Sequence, residues 1–318
     1  MLRNPNARRT AAAAGLTLVA TLMASAASGA EAKKAQSESV AFTFAPTDGT
    51  TYVQTVETLR ELGTPDGKRH VDRSVSKLKV AIRKNPRGFV ITTTPLSMTM
   101  TRDGTPVEDP ALQILDDTVV KFFVSPVGKL ERVEGYEDVA RRIRESYPPE
   151  VAVAVERLLS PATLVARAQA EWKGRISDFA GRTLPVARPW DGGADFTFPS
   201  GQHLDYFIRT EVVGPAACPS KSCVEVRFRY DSDPRALGEL AARVPDEAGE
   251  GGEVRARLAA LAGAGTRVID PKTMIVYSER IARNMKIQTE TPEGKVPVLT
   301  REEQRSSITA PSVVAGHD

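Results

Sequence analysis

The stretch from Thr50 to Arg102 constrains this chain more than any other. It holds three long segments in succession, Thr51–Leu62, His70–Lys84 and Gly88–Arg102, joined at Gly63-Thr-Pro-Asp-Gly67 and Asn85-Pro-Arg-Gly88. Gly, Pro, Asn and Asp gather at the joints because turns need positive φ or a preset φ. Each segment reads as a strand of about 12 to 15 residues, roughly twice the ordinary length. At about 3.3 Å per residue that is about 40–50 Å of chain. Antiparallel strands this long twist and curl around whatever they bury. The expected fold is α+β: a large curved antiparallel sheet, half-barrel-like, with helices packed on its concave side.

The first 30 residues read as a signal peptide. Arg3, Arg8 and Arg9 form the charged start, Ala11–Ala24 the uncharged core, and Ala24-Ser25-Ala26 and Ser28-Gly29-Ala30 two small-x-small cleavage sites. The segment is too weakly apolar to favour a membrane anchor. No Cys lies near either site, so no lipid-modified N-terminus is expected. The expected location is periplasmic or secreted. The whole chain has 43 Lys+Arg against 40 Asp+Glu; three Arg and no acid fall in residues 1–30, so the remainder balances at 40 to 40. A balanced chain offers no basic field for nucleic acid or an anionic membrane. Residues 31–49 read as a linker with an edge strand at its end, 50–290 as a single curved-sheet domain and 291–318 as a disordered tail.

Cys218 and Cys223 are the only two cysteines. In an exported chain their spacing suggests a disulfide across a short loop. A catalytic pair has two intervening residues at a helix start, whereas this one precedes a strand.

After the long strands, Val119–Val124 and Lys129–Val133 flank Ser125-Pro-Val-Gly128 and predict a hairpin. Tyr136–Tyr147, Glu150–Leu159 and Ala162–Phe179 carry apolar residues at helical spacing, the last one opened by Ser160-Pro161, a cap followed by proline at the first helical position. A second β section holds His203–Val213 and Val224–Asp231, the clearest alternation in the chain. Helices are expected over Arg235–Val244 and Glu253–Leu261, then strands over Thr266–Asp270 and Met274–Glu279, the latter running on to Thr289.

Catalytic signals are sparse. There are three histidines, His70, His203 and His317, with no metal-ligand spacing among them. No nucleophile elbow, phosphate loop or His-Glu-x-x-His occurs. The acid pairs Asp116-Asp117 and Glu302-Glu303 read as solvated surface. The expectation is therefore a protein that is not an enzyme, with no cofactor and no metal. The apolar sets Leu96, Met98, Met100 and Leu204, Tyr206, Ile208 are the candidate ligand-binding residues, able to line a lipid-sized space inside a curved sheet. The competing reading has the central helices filling that space.

The signal peptide, the long antiparallel strands and the turns in Phe122-Phe-Val-Ser-Pro-Val-Gly-Lys129 and Ile269-Asp-Pro-Lys-Thr-Met-Ile-Val-Tyr277 together resemble a group of bacterial exported proteins of unknown function. The resemblance covers about Thr50–Thr289. It implies an architecture similar to the half-barrels of periplasmic lipoprotein carriers, and it carries over no catalytic residue. Many members of that group have a lipid-anchor Cys that this chain lacks. These readings together give an expected non-enzymatic carrier or binding protein of the cell envelope, with a lipid or lipidated protein as partner. The alternative is an envelope assembly protein without a ligand cavity.

Overall fold

The computed structural model describes residues 38–63, 67–108, 110–197, 203–232, 255–291 and 294–313. The proposed signal peptide, the predicted helix over Arg235–Val244 and His317 lie outside the described residues.

The strands and helices follow one another along the chain as β1 (Ser39–Ala41), β2 (Thr50–Gly63), β3 (Arg69–Asn85), β4 (Gly88–Arg102), β5 (Thr105–Pro106), α1 (Pro110–Asp116), β6 (Val120–Val124), β7 (Leu130–Glu134), α2 (Val139–Ser146), α3 (Pro149–Leu159), α4 (Pro161–Trp172), β8 (Thr183–Pro185), β9 (Trp190–Thr197), β10 (His203–Pro215), β11 (Val224–Ser232), β12 (Arg255–Ile269), β13 (Val276–Thr291), β14 (Gly294–Ile308) and β15 (Ser312–Val313). A π-helical turn, Lys173–Ser177, continues α4. Thirteen strands form one open antiparallel sheet. Its continuous path runs β7-β6-β4-β3-β2-β14-β13-β12-β11-β10-β9, with β5 on β4 and β15 on β2; β1 and β8 pair separately.

The three long strands form as their turns dictate. At the β3–β4 joint the Asn85 side chain accepts from the Arg87 N–H at 2.8 Å. Gly88 adopts φ +140°, and a Cβ there would fall inside the Val124 carbonyl, so only glycine lets β6 approach. Ser160 caps α4 as its sequence suggests, its Oγ accepting from the Thr163 N–H at 3.1 Å.

Three expectations are corrected. Gly294–Ile308, read as part of a disordered tail, is β14, and it joins β13 to β2. Its sequence is rich in charge because the face away from the core is solvated and because Glu302 pairs inside the sheet. Glu253–Leu261, read as a helix, lies largely in β12, where Arg255–Leu261 pairs with β13; β11 joins the other side only from Ala262 onward. Ala, Leu and Arg favour helix locally, but pairing with β13 overrides propensity. The segment read as a linker over residues 31–49 does hold a short strand towards its end, β1, but Phe42 and Phe44 after it are buried in the main core.

That core lies on one face of the sheet. Val80 and Ile82 of β3, Phe89 and Ile91 of β4, and Val212, Val224 and Val226 of β10 and β11 join Ile176 and Phe179, which follow α4. Aromatic rings link the parts. Trp172 at the end of α4 lies 6.0 Å from both Phe44 and Phe122, and Phe179 lies 5.5 Å from Phe42 and 6.1 Å from Trp190. A second cluster, Ile114, Val139, Ile143, Ala152 and Leu164, holds the four helices together. The disulfide Cys218–Cys223 closes the loop between β10 and β11. No helix of the described residues is long and apolar enough to cross a membrane.

Candidate functional site: the core face beyond the helix

In a β-strand alternate residues share a face, so the registers place each side chain. The main core occupies one end of its face, where β3, β10 and β12 finish and β4, β9, β11 and β13 begin. The strands run on past it. Crossing the sheet one step beyond that core, the register carries Met98, Ser76, Val56, Ser306, Glu279 and Arg267 in line. The next line runs through Met100, Ser74, Thr58, Gln304, Ile281 and Phe228, by way of Gly265.

Met98 and Met100 are half-buried on this face, and so are Tyr206 and Ile208 on β10. Six strands separate β4 from β10 in the sheet order, so the two sets share a face without being neighbours. Leu204 pairs with Phe196 by backbone register; its side chain lies outside those described. Leu96 stands apart. The β3–β4 register slips between Lys77–Ser97 and Leu78–Pro95, leaving Leu96 as an unpaired bulge residue, exposed to solvent. The bulge keeps Met98 and Met100 on the same face as Ile91 and Pro95, a parity that simple alternation along β4 does not give.

Where the turn meets the sheet, three charges lock together. Arg267 donates from Nε and Nη2 to Glu279 Oε1 at 2.8 and 2.6 Å. Arg175 donates from Nε to Oε2 at 3.0 Å, and its Nη2 also bonds that oxygen. Arg267 Nη1 reaches the Gly174 carbonyl at 3.1 Å. Burial pushes the Glu279 carboxyl up, but Arg267 and Arg175 outweigh it and hold the carboxyl down at about 2. The neighbouring Tyr52 phenol is pushed up to about 12 by burial, against the opposing pull of Arg175.

Farther along the strands, a line of charges crosses five of them: Arg102, Asp72, Arg60, Glu302 and Arg283. Arg102 binds Asp72 through Nε at 2.7 Å and Nη2 at 2.9 Å. Arg60 binds Glu302 at 2.6 Å and Arg283 binds it at 3.1 Å. The hydrogen bond from Arg102 holds the Asp72 carboxyl below the usual carboxylate range, against the rise that burial brings. Of these five residues the sequence singles out only Glu302, in the acid pair Glu302-Glu303 read as solvated surface; its side chain is instead largely buried between Arg60 and Arg283. The hairpin turns carry a usable signal, since pairing Gly63 with Arg69 places Arg60 opposite Asp72. Arg102 reaches Asp72 only because of the bulge at Leu96.

The line ends at Tyr230, by way of Gly263. A Cβ at Gly263 or Gly265 would fall within the rings of Tyr230 and Phe228, which lie flat across β12. The Tyr206 ring packs at a tilt against Tyr230, 5.6 Å between centroids. His70 pairs with Asp103 at 2.7 Å where the β2–β3 and β4–β5 turns meet, both side chains substantially exposed. Among the described residues no His, Cys, Asp and Glu side chains gather as a metal site.

No protein family matches the chain, and no curated protein does. Among solved structures, one described as lipid–protein interactions in lipovitellin is similar over 86% of this chain and 26% of its own, at 11% identity and a TM-score of 0.45. The chain thus spans about a quarter of the length of that one. An exported protein with a YmcC-like fold from Bacteroides fragilis NCTC 9343 is similar over 85% of this chain and 100% of its own, at 11% identity and a TM-score of 0.22.

Proposed function

We propose that this chain is an exported, non-enzymatic carrier or binding protein of the cell envelope that holds an apolar ligand in a trough. One observation carries the reading: α4 touches both β7 and β9, the two ends of the eleven-strand path. Laid flat, those strands would lie about 48 Å apart. The 12 residues of α4 span only about 18 Å. That contrast supports a sheet rolled around α4, with the helix on its concave side at one end. Beyond the helix, the half-buried Met98, Met100, Tyr206 and Ile208 line the same concave face, outside the main core. Unbranched methionines adapt to loosely specified apolar ligands. Export accounts for the disulfide.

The second reading, an assembly protein without a ligand, draws on Val151 and Val153, exposed on α3. Native mass spectrometry of the protein purified gently from its own envelope separates the two. Retained lipid is the expected result. A bare chain, with a partner protein bound or with nothing, overturns the carrier reading.

A further inference from the structure

The charge line across the trough is asymmetric. Its carboxylates lie underneath, with Asp72 and Glu302 side chains only 8% and 14% exposed, while Arg102, Arg60 and Arg283 stand at 51%, 46% and 41%. Three arginines face two acids within the line; a third acid, Asp103, lies within electrostatic reach of Arg102 but is engaged by His70 and the Val71 N–H. Along the line itself, a molecule entering the trough meets guanidinium groups before carboxylate. The contacts to Asp72 and Glu302 use Nε and Nη2 of Arg102 and Arg60. Each guanidinium has five donors, so donors remain on the exposed side.

The line also lies at a chemically meaningful depth. Arg102 is the last residue of β4, and Met100 and Met98 follow it inward at intervals of two residues, about 6.6 Å each. Charge at the mouth, with Met100, Met98, Ile281 and Phe228 set among small polar side chains below, is a lining that suits an amphiphile. The last member of the line adds a second sign. The Tyr230 hydroxyl is buried beside the Arg283 guanidinium, which lies in hydrogen-bonding range of its oxygen, and among the described residues no acceptor takes its proton. A buried donor without an acceptor is costly, and an anionic oxygen seated at Arg283 supplies one.

Resting on the carrier reading, we propose that the ligand is an anionic amphiphile. Its carboxylate or phosphate headgroup seats on Arg102, Arg60 and Arg283, and its hydrocarbon tail runs inward past Met100 and Ile281. Arginine suits both headgroups, because its planar fork matches their paired oxygens.

The test uses the full chain, stripped of lipid, titrated with oleate, with methyl oleate and with inorganic phosphate. Oleate and its methyl ester share a tail and differ in charge. Oleate is expected to bind at least tenfold more tightly than the ester. Arg60→Gln, which leaves Glu302 its bond to Arg283, removes most of that preference and leaves ester binding unchanged. Tyr230→Phe weakens oleate about threefold with the fold intact. Equal affinity of wild-type protein for oleate and ester overturns the headgroup assignment while the carrier reading stands. Binding of neither overturns the carrier reading itself. Inorganic phosphate binding as tightly as oleate, and lost in Arg60→Gln, makes the line a free-anion site and overturns the amphiphile. If Arg60→Gln fails to fold, the wild-type comparison of oleate with its ester still decides.

Discussion

Glu279 lies directly across the β12–β13 pair from Arg267 and receives both of its bonds on one oxygen, leaving the other to Arg175 from the helical side. The carboxylate is 2% exposed. Glu279→Gln would leave two guanidinium groups facing a neutral amide, and breaking a buried network of this kind costs about 3–5 kcal/mol. The pH dependence has a defined sign. The carboxyl is held at about 2 against an ordinary 4.5. Its contribution, about 3 kcal/mol, is therefore complete above pH 4.5 and lost as the pH falls through 2. Urea unfolding of wild type between pH 6 and 2 should show this slope, and Glu279→Gln should lack it. Equal slopes in the two proteins would refute the assignment.

Gly263 is needed for the ring above it. Gly263→Ala should destabilise by about 2 kcal/mol or more, the range for overpacking. In a Tyr230→Ala background the same change should cost little, because the ring it strikes is gone. The check is a double-mutant cycle by chemical denaturation, and simple additivity would mean that the two residues do not compete for space.

Reduction of the Cys218–Cys223 bond, or replacement of both residues by serine, should lower stability by about 2 kcal/mol, as the loop-entropy relation gives for so short a loop. The melting temperature should fall by a few degrees while the far-ultraviolet circular dichroism at 20 °C stays unchanged, since β10 and β11 are paired from Tyr206 to Pro215 without its help. Loss of the strand signal on reduction would contradict this.

A chain stopped after Thr291 should fail to fold. It lacks β14, so β2 and β13 each lose a partner and no strand then joins the two parts of the sheet. Circular dichroism and limited proteolysis would read the outcome directly. A truncated protein as protease-resistant as the full chain would show that β14 is dispensable.

This last case also shows what the sequence makes legible. Local signals served well where strand order is local: Asn85 and Gly88 mark the β3–β4 turn, and Ser160-Pro161 marks the start of α4. The same signals mislead where a strand's partners are remote. β14 carries Pro297 and the charged run Arg301-Glu302-Glu303, which read as solvated chain, yet its neighbours begin at Gln54 on one side and Ser278 on the other. The first half of β12 likewise favours helix until its pairing with β13 is known. On the core face, alternation along β10 puts Tyr206 and Ile208 on the same side, but along β4 it breaks at Leu96. No count of hydrophobic residues anticipates that break, so the arginine line stays hidden until the register is fixed.

The position of β14 has a temporal consequence. It is synthesised after every strand it must join, and its residue Ile308 pairs with Gln54, made some 250 residues earlier. Until then the nascent chain exposes the long edges of β2 and β13, each an open template for pairing with another molecule. Closure between residues so distant along the chain is slow. A molecular escort that shields those two edges during biogenesis is the help such a chain would most need.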